Sequence, residues 1–345
     1  MQKTMTQQIV TAPRQVTYEE VAVPELEPNQ VLVKMMRIGI CGSDIHVWHG
    51  EHPYTSYPIS QGHEVSGEVV ALGSEVEGLE VGQKVTIEPQ VVCGECYSCR
   101  TGTYNTCEKL KVLGFQTTGA GSNYFAADAK RVTPLPDPIS FDEGAMIEPL
   151  SVAVHAVKRS GDVTGKIAVV LGAGTIGILV LQALKAMGAS EVMVTDISDY
   201  RLELAKELGA DYVLNTKEHD YAEALAKNFG PDNADIVYDC AGNDITINQA
   251  IQHARKGSQI VLIAVFAKMA NVDLAKLNDS ELILNTSMMF THEDFVKAIE
   301  LVADGKVNLK PLISKHFEFE EFKDAYDYID ANREKTMKVM VKVHN

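Results

Sequence analysis

Ile167-Ala168-Val169-Val170-Leu171-Gly172-Ala173-Gly174-Thr175-Ile176-Gly177 decides the fold of the 345-residue chain. Its first five residues are a continuous apolar run, as a parallel strand covered on both faces requires. The next six carry the spacing Gly172-x-Gly174-x-x-Gly177 and open a helical stretch to Met187, which Gly188 ends. The next strand, Glu191 to Thr195, ends at Asp196, about twenty residues beyond Gly177. Glycines there allow a tight turn and let backbone N–H groups approach a pyrophosphate at the positive end of a helix. The Asp196 carboxylate suits the ribose hydroxyls of NAD and would repel a 2′-phosphate. Arg201 is the counter-signal, because an arginine in that neighbourhood can accommodate NADP.

Downstream the alternation continues. Arg201–Leu208, Tyr221–Asn228 and Thr246–Ala254 read as helices, Ile236–Asp239 and Ile260–Val265 as strands. Such βαβ alternation predicts a doubly wound parallel sheet. It begins near Pro149, where Ser151 to Lys158 reads as a helix. The tail differs: Phe295–Asp304 and Phe322–Asp330 read as helices, and Thr336–Val341 as a closing strand that returns to the first domain.

Upstream the chain is short strands and turns. Val31–Met35, Gly67–Leu72 and Val81–Ile87 read as strands, Gly and Pro recur, and no long amphipathic helix precedes Asp142. A compact, mostly β domain is expected, with cysteines in its loops. Four of the six cysteines follow the pattern Cys93-x-x-Cys96-x-x-Cys99 with Cys107 soon after. In a reducing compartment such a cluster binds metal more often than it forms disulfides. As thiolates the four close a tetrahedral zinc site with no position left for substrate, so its role is structural. The ligand type alone also suits an iron–sulfur cluster.

Cys41, in Ile40-Cys41-Gly42-Ser43-Asp44-Ile45-His46, and the pair His63-Glu64 form a second set. One soft and two harder ligands suit zinc with a fourth position open to water or substrate. Taken singly, a buried cysteine and a core histidine are each commoner than ligands. Their weight comes from the dinucleotide fingerprint and from Glu148 in Met146-Ile147-Glu148-Pro149-Leu150, a carboxylate suited equally to a solvated helix start and to reaching a metal or its water.

A formal net charge of -16 argues against nucleic acid or an anionic membrane surface as partner. No apolar run approaches the roughly 20 residues that span a bilayer. Met1-Gln2-Lys3-Thr4-Met5-Thr6 leads into no apolar stretch of signal type, so the cytoplasm is the expected compartment.

These motifs together resemble the zinc-dependent medium-chain alcohol dehydrogenases, in the polyol and threonine dehydrogenase branch. The resemblance rests on Gly39–His46, Gly62–Val69, the cysteine lobe, Ile147–Leu150 and Gly172–Gly177, which run in order along the chain. It implies a GroES-like catalytic domain from residues 1–150 and 290–345, with an NAD-binding Rossmann domain, 151–289, inserted between. It implies one catalytic zinc held by Cys41, His63 and Glu64, with Glu148 touching it directly or through water, and one structural zinc held by the four cysteines. Ser43 matches the hydroxyl residue beside the substrate oxygen and His46 a proton-relay position. Gly172, Gly174, Ile176, Gly177, Asp196 and Arg201 would hold the dinucleotide, with the backbone near Val265 beside the nicotinamide. An alcohol would pass its hydride to NAD⁺ and its proton through Ser43 and His46, or through Glu148. Relatives in this branch are commonly tetramers, so a homo-oligomer is expected.

The expected substrate is a small secondary alcohol: a polyol, a vicinal diol or a sugar acid. Val47 stands where sorbitol dehydrogenases typically carry tyrosine, and Ser287–His292 lacks their Arg-Tyr pair. Ser43 stands where threonine dehydrogenases usually have threonine; threonine 3-dehydrogenase is the alternative enzyme. Trp48, His49, His52 and Tyr54 are candidates to shape the substrate pocket or simply to pack a loop. A reading of another class is a zinc- and NAD-binding protein of the same fold without catalysis.

Overall fold

The computed structural model describes residues 3–266 and 268–344, and the chain divides into two compact units. One comprises residues 1–148, 291–303 and 309–345; the other comprises 149–290 and 304–308.

The first unit opens with β1 (Thr4–Ala12) and β2 (Gln15–Ala22), an antiparallel hairpin whose turn holds Arg14 in the left-handed region. Two long antiparallel strands follow, β3 (Gln30–Ile40) and β4 (Glu64–Leu72). Both run further than Val31–Met35 and Gly67–Leu72, because the metal motifs themselves are strand ends. Between them lies α1 (Gly42–His49), which the sequence reading does not foresee. Cys41 is its extended N-cap, the Asp44 side chain accepts from the Cys41 N–H at 2.8 Å, and Gly50 ends it in the left-handed region.

The next strand, β5 (Lys84–Ile87), is shorter than Val81–Ile87, since Gly82 takes φ 92° and keeps its neighbours in a turn. The cysteine lobe hangs between β6 (Gln90–Val91) and β7 (Lys111–Val112), with the single turn α2 (Tyr97–Arg100) inside it. The remaining elements here are β8 (Tyr124–Asp128), β9 (Val132–Pro134) and α3 (Phe141–Ala145).

The second unit alternates as expected. After α4 (Ile147–Lys158) come β10 (Ile167–Leu171), α5 (Thr175–Ala186), β11 (Glu191–Asp196), α6 (Asp199–Glu207), β12 (Tyr212–Asn215) and α7 (Tyr221–Phe229). Then follow β13 (Ile236–Asp239), α8 (Asp244–His253), β14 (Gln259–Leu262), α9 (Leu274–Asp279) and β15 (Ile283–Thr286). All pairings are parallel, in the order β12-β11-β10-β13-β14-β15. That is the doubly wound dinucleotide-binding order, with its switch point between β10 and β13. The strand expected over Ile260–Val265 stops at Leu262, because the Ile263 and Ala264 N–H groups both turn onto the Asp239 carbonyl. Residues 304–308 join this unit through Gln182, whose side-chain amide bonds both backbone groups of Asn308.

The tail supplies α10 (His292–Ala303), β16 (Ile313–Glu318), α11 (Phe322–Ala331) and β17 (Lys338–Lys342). Strand β17 lies antiparallel to β3, with Val339 opposite Ile40, so both ends of the sequence build one sheet of order β16-β17-β3-β4-β5-β9, with β8 also on β3. Its core is closed by Trp48, Phe322 and Tyr326 over the β3–β4 surface. Among the described residues, no helix is long and apolar enough to cross a membrane.

Candidate active site and metal centres

Cys41, His63 and Glu64 converge, each offering a ligand atom within 4.8 Å of the other two. The fold explains the meeting. Ile40 ends β3 and Cys41 caps α1, while Gly62, at φ 106°, turns His63 in ahead of β4. A side chain at Gly62 would also press on the backbone of Ala120 and Gly121. Glu64, the first residue of β4, pairs across the ladder with Gly39. A Cβ at Gly39 would stand 2.3 Å from Glu64 Oε2, so this glycine is the hollow in which the carboxylate lies.

His63 is buried, and its Nδ1 has no hydrogen-bond partner, lying 3.5 Å from Asp44 Oδ1. Burial alone would lower this imidazole, but Asp44 and then Cys41 hold it well above its ordinary value. The surroundings therefore favour positive charge. Three donors of mixed softness, with ligand atoms within 4.8 Å of one another, fit a zinc ion.

The sequence reading misses Lys338. Its ammonium lies 2.6 Å from both oxygens of Glu64 and bonds the Ile40 carbonyl at 3.2 Å, and it is almost wholly buried. Burial opposes its charge, yet Glu64 and Cys41 raise it above the usual lysine value. A carboxylate accepts about four hydrogen bonds, so Glu64 can face Lys338 and still turn a lone pair to a metal. The available signal was a lone charge inside the apolar run Met337-Lys338-Val339-Met340-Val341.

Glu148, in the first turn of α4, is buried and stands outside the group of donors within 4.8 Å. Burial pushes it up to about 7; Glu64 and Asp44 add to the rise, opposed by His63 and Lys338. Ser43 and His46 lie three residues apart, hence on one face of α1, with Ser43 half-buried and His46 exposed, 3.6 Å from Glu51. Of the pocket candidates, Trp48 is stacked in the core on Tyr326, His49 bonds Asp330 at 2.7 Å and His52 stacks on Phe115, which in turn packs on His63. Tyr54 is exposed.

Cys93, Cys96, Cys99 and Cys107 also fall within 4.8 Å of one another. Their sulfur separations include 3.6 Å for Cys93–Cys107 and 3.9 Å for both Cys93–Cys99 and Cys96–Cys107. Ion–sulfur bonds of about 2.3 Å in a tetrahedron put sulfurs roughly 3.8 Å apart, whereas a disulfide needs about 2.05 Å. A single tetrahedral ion fits; a cluster with bridging sulfide would spread the thiolates. Backbone N–H groups, led by that of Cys99, bring Cys96 down to about 6. Loss of hydration and the neighbouring sulfurs push Cys99 up to about 12.

In the second unit a cavity of about 960 Å³ opens at the carboxyl ends of β10 and β11. Gly172, Gly174, Asp196 and Arg201 line it; Ile176, Gly177 and Val265 do not, and Val265 is exposed. Gly174 caps α5 and a Cβ there would meet nothing, leaving room for a ligand, whereas at Gly177 it would meet the Gly172 carbonyl at 1.8 Å. Asp196 already accepts from Ala173 N–H at 2.7 Å and from Ile197 and Ser198, which locks the carboxylate at the cavity rim. A second wall comes from the turn after β13, where buried Asp239 accepts from the Ala241 and Gly242 N–H groups and from Thr246. Cys240 lines it too, its thiol pushed up by burial. In the sequence, the local signal for Asp239 is its place at a strand end before Cys240-Ala241-Gly242.

Residues 27–137 match the alcohol dehydrogenase GroES-like domain, and residues 175–304 the zinc-binding dehydrogenase domain. L-galactonate-5-dehydrogenase of Escherichia coli K12 is 31% identical over 338 residues, 98% of this chain and 99% of its own length. The protein belongs to the zinc-binding alcohol dehydrogenases. A 2-dehydro-3-deoxy-L-galactonate 5-dehydrogenase of Pseudoalteromonas atlantica is 37% identical over 317 residues, 92% of each chain. The structure of a "short chain alcohol dehydrogenase" of Escherichia coli CFT073, complexed with NADH, superposes with a TM-score of 0.93 at 30% identity, covering 99% of this chain and all of that one. The present dehydrogenase is thus an oxidoreductase with a GroES-like unit and a Rossmann-type nucleotide-binding unit, in the zinc polyol dehydrogenase branch.

Proposed function

We propose that this dehydrogenase oxidises a secondary hydroxyl of a polyol, vicinal diol or sugar acid to a ketone, with NAD⁺ as hydride acceptor. The observation that carries the reading is the convergence of Cys41, His63 and Glu64, with His63 and Glu64 buried and all three ligand atoms within 4.8 Å of one another. When bound, zinc would supply a Lewis acid that eases removal of the hydroxyl proton, and NAD⁺ would supply the oxidant. Cys41, His63 and Glu64 hold the ion, with Lys338 keeping the Glu64 carboxylate in register. Ser43 orients the substrate hydroxyl and passes its proton towards His46, one turn along α1; Glu148, brought near neutrality, is the second acceptor. Cys93, Cys96, Cys99 and Cys107 hold the second, structural zinc.

In the nucleotide-binding unit, Gly172 and Gly174 admit the pyrophosphate, and the fixed Asp196 carboxylate receives the ribose hydroxyls, favouring NAD over NADP. Val265 stays a candidate for the nicotinamide end. Residues 1–150 and 290–345 act as the catalytic domain and 151–289 as the NAD domain, in a cytoplasmic homo-oligomer. The two relatives above are named for galactonate chemistry, which favours a sugar acid over threonine. The test supplies NAD⁺ with hexonates, polyols, 2,3-butanediol and threonine and follows NADH absorbance. Turnover of hexonates or polyols is expected; turnover of threonine alone would replace this reading with the threonine one.

A further inference from the structure

A buried chain of hydrogen bonds runs from the far end of the sequence to Asp44, beside His63. The Tyr326 hydroxyl, on α11, donates to Gln61 Oε1 at 2.6 Å. Gln61 Nε2 donates to Asp44 Oδ1 at 3.0 Å. Asp44 Oδ2 accepts from the Cys41 backbone N–H at 2.8 Å, and its Oδ1 stands 3.5 Å from His63 Nδ1. Gln61, Asp44, His63 and Tyr326 are each at most 4% exposed. The Gln61 backbone is tied in turn to the Gln8 side chain at 3.3 Å.

The direction of this chain is forced. An ionised carboxylate only accepts, so Gln61 must turn its NH₂ to Asp44 and its carbonyl to Tyr326, and the phenol must then donate. Asp44 is left with an acceptor 3.5 Å from His63 Nδ1, a charge that favours the tautomer protonated there and would leave Nε2 as the lone pair for a metal. We propose that Tyr326 and Gln61 are positioning residues of the catalytic metal site, holding Asp44 so that the Cys41 backbone and the His63 ring keep one ligating geometry. The inference rests on the reading of Cys41, His63 and Glu64 as zinc ligands.

Without the Tyr326 hydroxyl, Gln61 Oε1 is a buried acceptor with no partner, and the amide loses one of the two side-chain bonds that fix it beside Asp44. The Tyr326 ring also stacks on Trp48, with centroids 4.9 Å apart, and Tyr326→Phe keeps that packing.

The experiment loads the full-length enzyme with zinc and follows release to a chelator, together with the visible bands of enzyme carrying cobalt at the open site. Tyr326→Phe and, as a second variant, Gln61→Met should release that zinc about tenfold faster, the lower range for loss of an outer-shell partner. Their cobalt bands should shift, while the four-cysteine zinc keeps its wild-type release rate. Wild-type release and unchanged cobalt bands in both variants would overturn the positioning role. Equal acceleration at the four-cysteine site would do so too, since it would mark general loosening. A wild-type enzyme with no releasable second zinc would overturn the ligand reading itself.

Discussion

Lys338 Nζ lies 2.6 Å from both carboxylate oxygens of Glu64, and both side chains are almost wholly buried. One comes from the last strand and the other from the second metal motif, so closing the sheet completes the site. Removing one partner of a buried pair strands the other charge and costs about 3–5 kcal/mol. Lys338→Met should lower stability by about that much in zinc-free protein. Added zinc should recover part of it, because the cation replaces the ammonium beside Glu64. Denaturant melts with and without chelator check this; equal stability of the two zinc-free proteins would deny the pair its role.

Gly39→Ala places a Cβ 2.3 Å from Glu64 Oε2. The carboxylate must move, and the expected result is loss of the zinc at the open site with the four-cysteine zinc retained. Metal content by mass spectrometry, read beside NAD affinity, separates this from general misfolding, since the nucleotide cavity lies in the other unit.

Cys96→Ser acts on the lobe. With its sulfurs 3.6–3.9 Å apart around one ion, the variant should lose thermal stability and solubility first and become sensitive to proteolysis near Gly94–Arg100. A variant as stable and as zinc-rich as wild type would make the lobe's metal dispensable.

Asp196→Ala should weaken NAD about tenfold or more, as expected when a charge-assisted hydrogen bond worth about 1.5–3 kcal/mol is lost. NADP should suffer less. Fluorescence titration with both cofactors measures the ratio, and an unchanged ratio would remove Asp196 from cofactor choice.

Asp330 bonds His49 at 2.7 Å and Arg333 at 2.8 Å. Burial would raise this carboxyl, but Arg333 and His49 hold it below its usual value. A folded-state value below the unfolded one means stability present above the ordinary carboxylate range and lost as pH falls through the folded value. Asp330→Asn should therefore lower the melting temperature at pH 7, by a difference that shrinks in acid. A difference constant with pH would contradict the linkage.

What was legible in the sequence was local. The apolar run, glycine spacing and acidic strand end of the second unit lie within thirty residues, and each obeys one period or one turn. The four cysteines likewise declare themselves by spacing. Gln61, Asp44 and Tyr326 carry a tertiary meaning, and Lys338 shows in the sequence only as a lone charge in an apolar run: their roles emerge when β17 and α11 fold back onto β3 and α1. Helix α1 was missed because eight residues that mix His, Ser and Asp with a few apolar side chains give little periodic signal, and its Asp44 and Gly50 caps define it better than its pattern does.

The most direct test counts zinc and NADH formation together in wild type and His63→Ala, with NAD binding as control. Two zincs per chain and alcohol-dependent NADH formation are expected for wild type, and one zinc, no turnover and unaltered NAD binding for the variant. A variant that keeps both zincs, or still reduces NAD⁺ with an alcohol, would contradict the assignment of Cys41, His63 and Glu64 as the centre of the chemistry.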